Sequence, residues 1–336
     1  MAQRIGQYTL RLDSKPAILG HAAVVGKKEG EGPLGQSFDH IYEDTLLGQL
    51  SWEKAESQLQ NDAVTRALES AGIPSADLNY IFAGDLLNQC ASSTFAMRAF
   101  DVPYLGQYGA CSTMAQTLAM ASIFVETGAA QRCAAVTSSH FCAAERQFRF
   151  PLDYGGQRTP TAQWTVTGSG ALVVGTGENL PFVDCVAIGK IVDYEIKDAN
   201  NMGAAMAPSC CDTIVSFFHD TGEDPNSFDM ILTGDLGQVG TELLYTLLER
   251  ESIDITEKHT DCGLLIYDLE KQDVHAGGSG CGCSAAVLCS HIMQKMKSKE
   301  LKNLLFIGTG AMMSTTSSQQ GESIPGLSHL VKLCMC

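Results

Sequence analysis

The sequence predicts an internally duplicated α/β fold in which two similar halves share one core. The segment YIFAGDLLNQ at residues 80–89 returns as MILTGDLGQ at residues 230–238. Small-residue turns around Cys111 and Cys283 form a second repeat, because each is followed at the same spacing by a strand that contains a threonine. Two repeats that both keep their internal spacing indicate a duplicated supersecondary unit.

Each repeat opens with an amphipathic helix. The first helix is predicted over residues 55–72 and the second over residues 210–222, since apolar side chains recur on one helical face in both segments. The two patterns end at Gly72 and Gly222, and glycine most readily adopts the left-handed conformation of a helix C-cap. A short polar loop with a proline follows in both copies.

A short apolar strand ending in Gly-Asp follows each helix. The strands are predicted over Tyr80–Ala83 and Met230–Thr233, and their continuous apolar character is typical of strands buried on both faces. Asp85 and Asp235 therefore occupy equivalent positions in the two halves. Such carboxylates cap turns or helices, or they contact a ligand at the crevice where strands end.

A small-residue turn, an Ala-rich helix and another strand complete each half. In the first half these are the turn around Cys111, the helix after it and the strand Cys133–Val136. Helices with such small side chains are expected to pack on both sides. Helical crossovers predict parallel pairing of the strands. We expect two similar halves, residues 1–175 and 176–336, that form a single compact unit.

Charge and cysteine spacing limit the partners. The 336-residue chain has a net charge of −16, which disfavours nucleic acid and anionic lipid. Its 13 cysteines form no CxxC pair, so we expect reduced thiols and no cofactor, and the spacing identifies no metal site. There is no signal-peptide core and no membrane-spanning apolar stretch. The protein is expected not to be secreted, and to be cytoplasmic or peripheral to a membrane.

Three glycine-rich segments resemble the thiolase and ketoacyl-synthase superfamily. GACST at residues 109–113, ahead of an Ala-rich helix, resembles the nucleophile turn of those enzymes. TGSGA at residues 167–171 and FIGTGA at residues 306–311 resemble their glycine-rich strands. The resemblance implies a thiolase-like, five-layered α-β-α-β-α sandwich with Cys111 at the nucleophile position. A thiol at the start of a buried helix suits acyl transfer, because the helix dipole favours the thiolate.

The other catalytic groups of that superfamily are missing. Its histidine would follow the second-repeat strand, where this chain has Gly234–Gln238, and its asparagine would lie in the later loop Gly277–Cys283. Neither loop contains the required residue, so we predict a non-enzymatic protein. The alternatives are a thiol-dependent acyltransferase or ketoacyl synthase that uses Cys111, and a structural subunit with a vestigial pocket.

Motifs along the whole chain resemble a narrower family, that of stage V sporulation protein AD of spore-forming Firmicutes. They are AGDLLNQ, GACST, TSSH, AERQFRFP, AMAP, ILTGDL, HTDCGLLIYD and AGGSGCGCSA. The resemblance implies binding of dipicolinic acid and its transport into the developing spore, with a bearing on spore germination. It also implies partnership with the other stage V A-type membrane proteins at the forespore inner membrane. The oligomeric state stays open, with a homodimer among the alternatives.

A dipicolinate pocket between the halves would need N–H and hydroxyl donors, and arginine suits carboxylates. The predicted ligand-binding residues are Asp85, Cys111, Ser112, Ser138, Ser139, His140, Arg146 and Asp235. The alternatives are a turn residue for the cysteine, loop polarity for the serines and histidine, and a salt bridge for Arg146 and the nearby Arg149. The two aspartates would repel a dianion. They fit better if calcium lies between them and the ligand, if one is protonated, or if it only orients a donor.

Overall fold

The computed structural model of the chain describes residues 2–148 and 158–335. Its strands are β1 (Gln3–Ile5), β2 (Thr9–Arg11), β3 (Ala17–Gly26), β4 (His40–Tyr42), β5 (Tyr80–Gly84), β6 (Tyr104–Gly106), β7 (Arg132–Ser139), β8 (Trp164–Thr165), β9 (Gly168–Gly175), β10 (Phe182–Ala187), β11 (Ile191–Val192), β12 (Met230–Thr233), β13 (His259–Asp261), β14 (Gly278–Ser279), β15 (Asn303–Ala311) and β16 (Gly326–Cys334). Its α-helices are α1 (Lys27–Gly30), α2 (Trp52–Ala71), α3 (Ala91–Met97), α4 (Thr113–Glu126), α5 (Phe141–Phe148), α6 (Met202–Thr221), α7 (Gly237–Arg250), α8 (Cys262–Leu265), α9 (Cys281–Val287), α10 (Met293–Lys297) and α11 (Thr315–Gln319).

The sheet topology repeats the same pattern twice. One hydrogen-bonded path runs β13-β12-β15-β16-β10-β3-β9-β7-β5-β6. Read outward from its centre, the order β3-β9-β7-β5-β6 matches β10-β16-β15-β12-β13. In both sets the first two pairings are antiparallel and the last two are parallel. The two sets meet where Ala17 of β3 pairs with Phe182 of β10. The predicted duplication is confirmed.

Three apolar clusters divide the molecule into five layers. One cluster joins α2 to the outer face of the first strand set, and another joins α6 and α7 to the outer face of the second. The largest cluster fills the space between the two sets and contains side chains of α4 and α9. Helices therefore cover both faces of each strand set, and the predicted thiolase-like α-β-α-β-α sandwich is confirmed.

The two opening helices end at their predicted caps, but both begin earlier than predicted, α2 at Trp52 instead of residue 55. Gly72 and Gly222 end α2 and α6 in the left-handed region, with φ of 66° and 71°. Helix α6 begins earlier than predicted, at Met202, because the side chain of Asn201 accepts a hydrogen bond from the Ala204 N–H and caps it there. No helix among the described residues is both long and apolar enough to cross a membrane.

Candidate functional site

The turn before α4 holds Cys111 at the start of a buried helix. Ala110 has a φ of 49°, which is costly for a residue with a side chain. The turn is held by its own hydroxyls: Ser112 Oγ donates to the Gly109 carbonyl oxygen (2.6 Å), and Thr113 Oγ1 accepts from the Gly109 N–H (3.0 Å). The Ser112 hydroxyl is thus used inside the turn, while Cys111 lines the neighbouring cleft.

The cleft lies where the two halves meet. The space within it is about 670 Å³ when the open solvent at its mouth is included. Its walls are mainly apolar, and no lysine or arginine is among the described lining residues. These are Leu86, Tyr108, Ala110, Cys111, Ala144, Glu145, Phe148, Gln163, Thr165, Ala199, Asn200, Met202, Ser279, Ala311 and Met313.

Asp235 of the second half meets Cys111 of the first half. The fully buried carboxylate accepts hydrogen bonds from Gly280 N (2.7 Å), Ser279 Oγ (3.0 Å) and Thr309 Oγ1 (2.8 Å), and the Cys111 thiol also donates to it. Burial raises the pKa of Cys111 well above its usual range, and the negative charge of Asp235 raises it further. The thiol is therefore protonated and a poor nucleophile.

Asp261 supports the loop that carries Asp235. Its carboxylate accepts from the N–H groups of Leu236 (2.9 Å) and Gly237 (3.0 Å), and from the hydroxyl of Thr233 (2.6 Å). Burial raises the pKa of Asp261 to about 6. Sequence analysis missed this residue, although its place at the end of an edge strand of the second half was a usable signal.

Asp85, the counterpart of Asp235 in the first half, lies behind the cleft wall. It accepts from Leu87 N (2.8 Å), Ser93 N (2.7 Å) and Ser93 Oγ (2.6 Å), and it is fully buried. Burial raises its pKa. Asp85 belongs to one buried polar network with Ser138, whereas Asp235 is the aspartate beside Cys111, so the two predicted aspartates serve different neighbourhoods.

Two residues of that network, Glu56 and Gln60 of α2, were missed by sequence analysis. Ser138 Oγ donates to Glu56 Oε1 (2.9 Å), and Gln60 Nε2 donates to Ser138 Oγ (2.8 Å). The available signal was their spacing, because they lie one helical turn apart, in line with Ala63 on the buried face of α2.

The remaining predicted residues lie around the cleft without lining it. Ser139 Oγ donates to the Val166 carbonyl oxygen (2.6 Å), and the ring of the buried His140 lies 2.7 Å from the Thr45 carbonyl oxygen. Burial lowers the pKa of His140. Arg146 is exposed and forms an ion pair with Glu53. Arg149 lies outside the described residues.

The electrostatics of the pocket differ from those of a site that condenses thioesters. An enzyme that condenses thioesters needs a thiolate and donors aimed at a developing oxyanion. Here the thiol faces a carboxylate, Asp235, which would repel such an anion. In the described residues, no group of three or more His, Cys, Asp or Glu side chains could hold a metal ion.

The chain matches one protein family over most of its length. A family model described as Stage V sporulation protein AD (SpoVAD) matches residues 6–334. The chain is 44% identical over 304 residues to Stage V sporulation protein AD of Bacillus subtilis strain 168, covering 90% of each chain.

Solved structures with the same fold match the chain at low sequence identity. One is 3-oxoacyl-[acyl-carrier-protein] synthase III from Aquifex aeolicus, with a TM-score of 0.59 and 12% identity over 95% of this chain and 99% of that one. Another is cerulenin-bound OleA of Xanthomonas campestris, with a TM-score of 0.60 and 13% identity over 98% of both chains. At such identities the likeness concerns the fold.

Proposed function

The chain belongs to the stage V sporulation protein AD family, and from that premise we propose that it binds dipicolinic acid, free or as its calcium chelate, for uptake into the developing spore. In this proposal it is a peripheral, non-enzymatic subunit at the forespore inner membrane. Its partners are the other stage V A-type membrane proteins. The observation that carries the proposal is the mainly apolar cleft at Cys111, which has a protonated thiol in place of a nucleophile.

The lining of the cleft supports an aromatic ligand. Apolar surface for a ring is offered by Leu86, Ala144, Phe148, Met202 and Met313. The Thr165 hydroxyl in the lining can donate to a carboxylate oxygen, whereas the Ser279 hydroxyl already donates to Asp235. Clefts with apolar walls and a few placed polar groups are typical of small-molecule sites.

The charge of the cleft favours the chelate over the bare dianion. Asp235 lies beneath Cys111, so an added pair of carboxylates would meet like charge. In the chelate, dipicolinate itself supplies oxygen ligands to calcium and the two charges cancel. This proposal therefore assigns calcium to the ligand, with the protein contributing at most single oxygens.

The absence of acyl chemistry is part of the same proposal. The superfamily position of the nucleophile is kept at Cys111, but Asp235 and Ser279 stand where an enzyme would need groups that stabilise an enolate. Incubation with acyl-CoA followed by mass spectrometry of the intact protein tests the enzyme alternative. Acylation that Cys111→Ala abolishes would support it.

Calorimetric titration with dipicolinate tests the binding function. We expect Cys111→Trp to abolish binding, because the indole fills the cleft, and Cys111→Ala to weaken it only modestly. Cys142→Ala removes a thiol that does not line the cleft and is the matched control. Far-UV circular dichroism has to show that each variant folds. Parent-like binding by Cys111→Trp would mean that the ligand binds elsewhere.

The same titration separates the two ligand forms. It is run with calcium, with a chelating agent, and with benzene-1,3-dicarboxylate, which has the same outline as dipicolinate but lacks the ring nitrogen. If the chelate is the ligand, binding needs calcium and the benzene analogue does not bind. Equal affinity in all arms would assign the site to a plain dicarboxylate.

A further inference from the structure

The core face of α2 carries two polar side chains. Glu56 is 1% exposed and Gln60 is fully buried, in line with the apolar residues that face the first strand set. An ionised carboxylate in such a place needs a cation or a full set of hydrogen-bond donors. The surrounding contacts show whether Glu56 has them.

The Gln60 amide and the hydroxyls of Ser93 and Ser138 are already used as donors. Gln60 Nε2 has two N–H groups and lies within hydrogen-bond distance of three acceptors, Gly84 O (3.1 Å), Ser93 Oγ (2.9 Å) and Ser138 Oγ (2.8 Å). Both serine hydroxyls give their protons to carboxylates, so the amide has to present nitrogen to them and its orientation is fixed. As a result, Gln60 Oε1 and Glu56 Oε2 are buried oxygens without a hydrogen-bond partner among the described residues.

The charges near Glu56 disfavour its ionised form. Asp85 follows β5 and Glu53 lies on α2 itself, and both act on Glu56 as negative charges. Glu53 is paired with Arg146 of α5, and from α9 the thiol of Cys281 donates to the Ser138 carbonyl oxygen. Burial raises the pKa of both Glu56 and Asp85. Asp85 accepts from three donors, two of which are backbone N–H groups, whereas Glu56 has only the hydroxyls of Ser138 and Ser92 beside it, so the proton belongs on Glu56.

We propose that Glu56 is a neutral carboxylic acid in the folded protein at neutral pH, and that its Oε2–H group donates to Gln60 Oε1. A single proton then gives a hydrogen-bond partner to both buried oxygens, because Glu56 Oε2 donates it and Gln60 Oε1 accepts it. The neutral acid also fixes the hydroxyl of Ser138 without adding a second charge next to Asp85. Glu56 is thus a positioning residue for the first-half side of the site.

The network reaches the cleft through two links. Asp85 accepts from the backbone next to Leu86, and Cys281 packs with Leu86, Ala144 and Cys111. A second negative charge at Glu56 would increase the repulsion of an anionic ligand. This consequence for the ligand rests on the proposed function, whereas the protonation of Glu56 does not.

Infrared difference spectroscopy at pH 7 tests the protonation directly. The parent minus Glu56→Gln spectrum should contain the carbonyl band of a protonated carboxylic acid, shifted in heavy water. Glu69→Gln changes an exposed residue on the same helix and should show only the loss of an ionised carboxylate. A carboxylate band in the Glu56→Gln difference would overturn the proposal.

Unfolding in urea at several pH values gives an independent readout. The folded pKa of Glu56 is raised, so the parent loses stability as pH rises from the unfolded toward the folded pKa. Glu56→Gln should gain on the parent over that range by up to about tenfold per pH unit in the folding equilibrium constant. A pH-independent difference, or a stabilisation by calcium that Glu56→Gln abolishes, would contradict a bound proton.

Ligand titration separates this proposal from the proposed function. Glu56→Gln should keep the parent's affinity, while Glu56→Ala, which removes the acceptor for Ser138, should weaken it in a protein that circular dichroism shows to be folded. If the parent itself does not bind dipicolinate, the proposed function fails and the infrared result still stands.

Discussion

Cys111 and Asp235 come from different halves of the chain and meet at one hydrogen bond. The thiol donates and the carboxylate accepts, which stabilises the protonated thiol. A helix N-terminus would by itself favour the thiolate. At this site burial and the negative charge outweigh the helix, and the thiol stays neutral.

Replacing Asp235 by asparagine should make Cys111 more reactive. The substitution removes the nearby negative charge, so the pKa of the thiol falls and the thiolate fraction at pH 8 rises by roughly tenfold for each unit of the fall. Site-resolved mass spectrometry after timed exposure to iodoacetamide measures the rate. Cys142 in the same sample is the internal control, and an unchanged rate at Cys111 would mean that burial alone keeps the thiol protonated.

Single residues could be predicted where their motif was local. The Gly-Asp pairs and the turn at Cys111 stand out in the sequence, and the structure shows Cys111 and Asp235 in contact. Glu56, Gln60 and Asp261 were missed because a polar residue on a helix or at a strand end gives no sign of its partners. Those partners lie on other elements and become neighbours only after folding.

At the scale of elements, the two helices that open the halves end in the same way. A Cβ at Gly72 or Gly222 would meet no atom within 4 Å, so space is not limiting at either position. The limiting factor is the left-handed backbone conformation, since φ is 66° at Gly72 and 71° at Gly222.

Gly72→Ala and Gly222→Ala should therefore destabilise the protein by similar amounts, about 1–2 kcal/mol each. Urea unfolding gives the free energies. Because the two caps lie in different outer layers, the double variant should lose the sum of the two. Gly72→Asn is the control, since asparagine adopts this conformation at lower cost. Markedly unequal losses would show that the duplicated caps are no longer energetically equivalent.

Elements with strong local signals were predicted well, and those fixed by distant contacts were not. The strands after each helix and both glycine caps lie where the sequence placed them. The start of α6 was predicted too late, because the prediction began with the apolar pattern at residue 210 and did not use the capping residue Asn201. The pairing of β8 with β14 also has no local signature, because each contributes two residues.

At the scale of the whole molecule, the central layer belongs to both halves. The largest apolar cluster includes Met114 and Leu118 of α4 together with Leu304 and Phe306 of β15. Neither half can bury its inner sheet face without the other. The division at residues 175 and 176 stays a prediction, and it concerns topology and not independent folding.

A fragment of residues 1–175 should fail to fold alone. Its α4 and inner strand faces would be exposed to water, and large exposed apolar surfaces lead to association. We expect no cooperative urea transition, and binding of a hydrophobic dye, where the full chain unfolds in one transition. Mixing with the fragment 176–336 should restore the transition. A cooperative transition of the first fragment alone would contradict a shared core.

The short parallel pairing of β8 with β14 bears on how quickly a ligand could bind and dissociate. It joins Trp164 and Thr165 of the first half to Gly278 and Ser279 of the second, and Thr165 and Ser279 both line the cleft. Backbone bonds from Trp164 N to Gly277 O and from Val166 N to Ser279 O (both 2.9 Å) lock the two walls together. Swinging the halves apart would break these bonds. A ligand would then enter and leave the cleft by rotation of side chains instead of hinge motion. Association should therefore be a single step without a slow opening phase.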